Sequence, residues 1–295
     1  MAYYSGSAVD MTALRQALID ACVTEGWAWN AGSEVLSKDA MFLRLQIVSG
    51  YLTLLGRTSA TAGDMPNVVR IGQLGTQPLV WPLSYEIFVF NGEVYLVANY
   101  NVDFYQWCAF GLSTVDGLPG SGMWVGATVG SGVNPTGGPI YIMGGAGGDP
   151  GDNSTSGALF WATVTGSGGG RNGFVHSDLD AQGWWLGQYL TDYPVGIAPI
   201  VPLIGLLPNA WNSEAVLLPI RSYKKRPELK VSLITDLEHA RYTRVDNYEP
   251  SEIITIGSDR WKVYPWYRKN TTTRNGGSGI AHTGTFGWAI RYEGP

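Results

Sequence analysis

Forty glycines and 16 prolines in 295 residues are the strongest constraint on this chain. Both residues are poor in helix interiors, so a bundle of long helices is excluded. The glycines are also unevenly placed, with 22 of them in residues 111–187. Before and after that stretch the apolar residues alternate with a period of two, as in half-buried strands. Phe42-Leu43-Arg44-Leu45-Gln46-Ile47-Val48, Ser49-Gly50 and Tyr51-Leu52-Thr53-Leu54-Leu55 read as a hairpin with a tight turn. Tyr85 to Phe90 and Val94 to Ala98, joined by Asn91-Gly92, read as a second one. Asn-Gly accepts the positive φ angles of a type I′ turn. Phe104 to Leu112 reads as a further strand, and Ile253 to Ile256 with Arg260 to Tyr264 as a hairpin around Gly257-Ser258-Asp259. Thr285 to Tyr292 reads as a closing strand.

One segment has helical spacing. Met11, Leu14, Leu18, Ala21 and Cys22 share a face, and Gly26 is a natural stop. Ser7 as cap with Asp10 in the capping-box position predicts a helix over 7–26, packed on the following sheet. The fold expected is therefore α+β and mainly β, with one N-terminal helix on antiparallel sheet. Composition divides the chain into three sections: 1–110 (α+β), 111–220 (Gly/Pro-rich strands and loops) and 221–295 (basic, β). In the middle section Met123 to Val129 and Ala158 to Thr165 are short apolar pieces between glycine runs, and Trp124, Trp161, Trp184 and Trp185 argue for tight loops between short strands. Residues 193–210 carry no charge, but Pro194, Pro199, Pro202 and Pro208 exclude a regular membrane helix. An extended segment, buried or covered by a subunit, is expected there. Residues 270–279 read as a polar loop.

Charge is split along the chain. Residues 1–220 hold 6 Lys and Arg against 16 Asp and Glu, whereas residues 221–295 hold 13 against 8. A two-ended molecule of this kind suggests head-to-tail contact between copies, or a basic end that meets an acidic partner. Simple solvation of a small C-terminal sheet is the alternative. A charged fraction of 15% with 45% hydrophobic residues excludes global disorder. Two cysteines, Cys22 and Cys108, make no disulfide framework. The start of the chain lacks a secretory pattern, so synthesis and folding in cytosol are expected.

Chemistry-bearing motifs are scarce. No phosphate loop, dinucleotide fingerprint, nucleophile elbow or metal-ligand spacing is present, and no cofactor or metal is expected. His176-Ser177-Asp178-Leu179-Asp180, beside Trp184 and Trp185, could supply a base and two carboxylates; a polar surface turn is the plainer reading. Gly148-Asp149-Pro150-Gly151-Asp152-Asn153 has the oxygens for calcium without the alternation of a calcium loop. Arg221, Lys224, Lys225 and Arg226 form a short basic run, but a net charge of -5 argues against nucleic acid as a main partner.

Three stretches of text carry a resemblance. They are Leu96-Val97-Ala98-Asn99-Tyr100-Asn101-Val102-Asp103-Phe104-Tyr105-Gln106-Trp107, the run from Asp259 through Arg260-Trp261-Lys262-Val263-Tyr264-Pro265-Trp266-Tyr267-Arg268-Lys269 to Asn270, and Gly284 to Tyr292. With the opening Met1 to Gly6, they resemble virion structural proteins of tailed bacteriophages. The resemblance implies a particle component of the neck or collar, or of the tail or baseplate, present in the virion after synthesis in host cytoplasm. It carries no catalytic motif, so no functional residues follow from it. Other copies of the chain and neighbouring virion proteins are the partners it implies. The Trp261, Tyr264, Trp266, Tyr267 and Arg268 cluster in the basic section matches the composition of interface hot spots and is the candidate contact; an ordinary core hairpin is its alternative. A carbohydrate- or receptor-binding tail protein and a glycan-degrading enzyme are the rival readings, the first favoured by 12 Trp and 16 Tyr.

Overall fold

A computed structural model describes residues 1–73, 78–130, 160, 173–186, 216–245, 247–267, 269 and 286–295. The chain opens with β1 (Ala2–Ala8), α1 (Met11–Thr24), β2 (Ala28–Asn30), β3 (Val35–Lys38), β4 (Met41–Val48), β5 (Tyr51–Arg57) and β6 (Val69–Ile71). Next come β7 (Leu83–Val89), β8 (Glu93–Asn101), β9 (Phe104–Leu112), β10 (Met123–Ala127), β11 (Val129–Gly130), β12 (Gly173–Ser177) and β13 (Gly183–Leu186). The rest holds β14 (Leu218–Lys225), β15 (Val231–Arg244), β16 (Glu252–Ile256), β17 (Asp259–Pro265) and β18 (Phe286–Arg291). The fold is α+β and mainly β, as the alternation predicts.

These strands form three antiparallel sheets. A seven-stranded sheet has the order β1-β7-β8-β9-β10-β12-β13, a six-stranded one β11-β6-β5-β4-β3-β2, and a five-stranded one β14-β15-β18-β17-β16. The seven-stranded sheet is the middle layer. Val94, Leu96, Ala98 and Tyr100 of β8 join a core with Leu14, Leu18 and Cys22 of α1 and with Leu43, Leu45, Leu52 and Leu54 of the six-stranded sheet. Tyr95 and Val97 of the same strand join a second core with Tyr242, Tyr264, Trp266, Trp288 and Ile290 of the five-stranded sheet. An antiparallel sheet usually keeps one wet face and alternates accordingly. Here both faces are covered, which explains why β8 reads as an almost unbroken apolar run. The middle sheet takes strands from both sides of residue 110, and β14 runs across residue 220.

Local details confirm some expectations and correct others. Ser49 and Gly50 both have positive φ, 52° and 81°, as a type I′ turn between β4 and β5 requires. The β7–β8 hairpin is present, but neither Asn91 nor Gly92 has positive φ, so its turn is not type I′. The reason is tertiary. The Gly92 carbonyl accepts a hydrogen bond from the Leu112 N–H of β9 at 2.9 Å, which holds the turn against the neighbouring strand. The helix cap is also corrected. Ser7 belongs to β1, opposite Ser84, and Asp10 is the cap, its carboxylate accepting from Ala13 N–H at 2.7 Å. Asp10→Ala is expected to lower stability by about 1 kcal/mol in chemical denaturation, with unchanged strand signal in circular dichroism. Gly26, at φ 85°, ends the helix as expected. In the Gly-rich section β10 to β13 are the short strands expected; Trp161 and most of Ala158 to Thr165, the calcium-like loop, and residues 193–210 and 270–279 lie outside the described residues. No helix among the described residues is long and apolar enough to cross a membrane.

Candidate functional site

Strand alternation sends successive residues of β17 to opposite faces. Trp261 and Val263 point away from the middle sheet and pack with Tyr248 and Ala289, with the Arg241 guanidinium 5.4 Å from the Trp261 ring. Lys262 and Tyr264 point toward the middle sheet, and Trp266 follows them into the second core, its ring 4.6 Å from Trp107 and 5.5 Å from Trp288. Tyr267 crosses to the first core, where Tyr100 Oη donates to its hydroxyl at 2.9 Å. All four aromatic residues of the candidate contact are thus buried inside the chain, Trp261 at 6% exposure being the most accessible. Their rings fill the core-hairpin arrangement. Arg268 lies outside the described residues.

A polar knot sits where the middle sheet and the five-stranded sheet begin to part. Glu86 of β7 accepts from Tyr3 Oη at 2.5 Å, Lys262 Nζ at 2.5 Å and Tyr264 Oη at 2.8 Å, and from the Ser251 hydroxyl. Lys262 also donates to Tyr3 Oη at 2.8 Å and lies 4.4 Å from that ring. Burial alone would raise the Glu86 carboxyl, but the hydrogen bonds from Lys262, Ser251, Tyr3 and Tyr264 outweigh it and hold the group below its usual range. Burial likewise disfavours the Lys262 cation, and its bonds to Glu86 and Tyr3 reverse that, so the ammonium titrates above an ordinary lysine. The knot is a closed ion pair joining β1, β7 and β17. Beside it opens a cleft of ≈ 360 Å³ floored by Ser5, Ser84, Glu86, Val97, Asn99 and Tyr105.

A second knot lies farther along the same interface. The Glu93 carboxylate, 2% exposed, accepts from the backbone N–H of Glu238 and His239 at 2.8 and 2.9 Å and from Tyr95 Oη at 2.7 Å. His239 Nδ1 lies 2.8 Å from it, and the imidazole stacks on Phe90 at 3.8 Å. The carboxylate thus anchors the five-stranded sheet to the middle one.

The sequence cluster around His176 folds into a similar clamp. His176 and Ser177 end β12, and Asp178 leads into a 3-10 turn, Leu179–Ala181. His176 Nδ1 lies 3.1 Å from both the Ser121 N–H and the Ser121 hydroxyl, while Nε2 is 3.7 Å from Asp178 Oδ1. The three residue types of a hydrolase triad are therefore close together. A base must offer its lone pair to the nucleophile's proton. Here the backbone N–H of Ser121 already points at Nδ1, and the Gly122 N–H, a natural oxyanion donor, is bonded to the His176 carbonyl. The arrangement fastens the Gly120–Gly122 loop, in which both glycines have positive φ, 97° and 69°. Asp180 pairs with Arg226 at 2.5 Å, in an exposed bridge.

No family model and no curated protein matches this chain. Sequence reasoning missed Glu86 and Lys262, although a signal was available. Ser84, Glu86 and Phe88 share one strand face, as do Lys262 and Tyr264. A charge in line with aromatics at period two marks a position that faces a core, and two such positions of opposite sign invite a pair.

Proposed function

We propose that the chain is a structural subunit of a tailed-phage particle, assembled in multiple copies at the neck or collar, or on the tail or baseplate. The observation that carries this reading is the place of the resembling segments in the fold. Leu96 to Trp107 covers the centre of β8 and the start of β9, Asp259 to Tyr267 covers β17, and Phe286 to Tyr292 covers β18. Those segments meet across the second core, the Trp107 ring packing at a tilt against Trp266 at 4.6 Å and against Trp288 at 5.1 Å. What resembles virion proteins is a scaffold, and the ionisable groups near it close internal clamps. The opposite charge of residues 1–220 and 221–295 supplies attraction between copies, screened beyond about 8 Å at physiological salt.

The carbohydrate- or receptor-binding rival is favoured by the count of 12 Trp and 16 Tyr. Trp27, Trp107, Trp124, Trp185, Trp261, Trp266 and Trp288 are buried, so most of the 12 tryptophans serve the core. Quantitative mass spectrometry of density-purified particles, produced from the genome that encodes the chain, tests the proposal. Several copies per particle are expected. Absence from clean particles, with the chain left in the soluble lysate, would overturn it.

A further inference from the structure

The cleft beside Glu86 is built on a sheet face that changes character halfway along. Cross-strand register places Ser5 opposite Glu86, Ser84 opposite Asn99, and Asn99 opposite Tyr105, all on the face that carries Phe88, Tyr95 and Trp107 farther on. The far half is the dry second core. The near half is a floor of small polar side chains, with Val97 as its apolar patch and Tyr3, Pro250, Ser251 and Tyr264 as walls. The face turns polar where the five-stranded sheet no longer covers it, leaving a walled cleft open to water and lined by hydrogen-bonding groups.

The hydrogen-bonding capacity left over defines that occupant. Both Glu86 oxygens are engaged, and the Lys262 cation cancels the carboxylate charge. Asn99 spends its amide N–H groups on the carbonyls of Asn101 and Phe104, at 2.9 and 3.0 Å, which leaves its Oδ1 as an acceptor. The hydroxyls of Ser5, Ser84 and Tyr105 make no side-chain hydrogen bond among the described residues, and each can both donate and accept. Burial pushes the Tyr105 phenol up, helped by the charges of Asp103, Glu249 and Glu86, so it remains a protonated donor. The volume of ≈ 360 Å³ sits at the small end of ligand pockets, which span roughly 300–1,000 Å³.

We propose that this cleft binds a neutral polyhydroxylated ligand, a sugar residue, with its hydroxyls on Ser5, Ser84, Asn99 and Tyr105 and an apolar C–H face against Val97 and Pro250. Hydroxyl pairs match a floor that is amphiprotic and already charge-balanced; an anion or a cation would find no free counter-charge in the knot. The site is separate from the tryptophans and independent of the assembly role, because it is formed within one copy.

The test is saturation-transfer NMR on the purified full chain with glucose, galactose and N-acetylglucosamine, as free sugars and as β-linked disaccharides, beside glucosamine and glucuronate. At least one neutral sugar is expected to bind with a dissociation constant on the order of 1 mM. Ser84→Ala and Tyr105→Phe, each removing one oxygen from a folded protein checked by circular dichroism, are expected to weaken it roughly threefold to tenfold. Tighter binding of a disaccharide identifies a glycan end as the source, and equal binding a free sugar; both support the site. The proposal is overturned if no neutral sugar binds at about 50 mM, if the charged analogues bind better, or if both variants keep the parent affinity. Incorporation into particles is read separately, so either proposal can fail alone.

Discussion

Glu86→Ala is expected to lower the unfolding free energy by about 3–5 kcal/mol, the cost of leaving a buried charge without its partner. The side chains of Glu86 and Lys262 are only 19% and 10% exposed, so solvent does little to rescue the stranded ammonium. The replacement also takes the acceptor from Tyr3, Tyr264 and Ser251, adding unsatisfied hydroxyls to the loss. Lys262→Met alone should be similarly harmful, since it strands the carboxylate. The double variant Glu86→Ala with Lys262→Met leaves no charge behind and is expected to be clearly less destabilised than the sum of the single changes. Urea unfolding of all four proteins measures this; strictly additive losses would show that the two groups do not act as a pair.

The same knot sets a pH profile. The folded-state pKa of Glu86 lies below its unfolded value, so its contribution is fully present above the ordinary carboxylate value of about 4.3 and is lost as pH falls through the lowered one. The folded-state pKa of Lys262 lies above its unfolded value, so its contribution is present below about 10.4 and is lost as pH rises through the raised one. A plateau between these limits is expected, and Glu86→Ala should flatten the acid flank of the stability curve.

Trp266→Ala is the second large effect. Trp266 is 1% exposed and touches four other aromatic rings, those of Trp107, Tyr242, Phe286 and Trp288, at 4.6 to 5.8 Å. Truncating a buried tryptophan costs about 3–5 kcal/mol, through lost transfer energy and the cavity left behind. The melting temperature is expected to drop before any change in assembly is measurable. A variant with parent stability and impaired incorporation into particles would instead place the Trp266 ring in an inter-subunit contact. Trp266→Phe, which keeps most of the volume, should lose less than half as much.

Much of the architecture was legible because it is local. The β4–β5 hairpin follows from alternation plus Ser49-Gly50, and β9 from a run of apolar residues between turn signals. What escaped was decided by distant chain. Ser7 has the chemistry of a helix cap, yet its backbone is taken by pairing with β7, and Asp10 inherits the role. Asn91-Gly92 has the residues of a type I′ turn, yet β9 presses on it. The aromatic-rich text of β17 looks like an exposed contact because sequence does not say that a second sheet covers it. The carboxylate–lysine pair was hidden for the same reason: its members stand 176 positions apart, and only the three-layer stacking brings them together.

The strand order of the five-stranded sheet has a consequence for synthesis. Strand β18 sits between β15 and β17, so the two hairpins β14–β15 and β16–β17 have no direct ladder to each other without it. On the ribosome both hairpins emerge after the whole middle sheet but before β18, so Tyr242, Tyr264 and Trp266 meet Tyr95 and Trp107 while their partners Phe286 and Trp288 are still to come. Until Phe286 to Arg291 clears the exit tunnel, the second core lacks Phe286, Trp288 and Ile290 and the two hairpins lack the strand between them. One six-residue strand thus supplies both ladders that join the hairpins, so the five-stranded sheet is complete only when the last strand of the chain is in place.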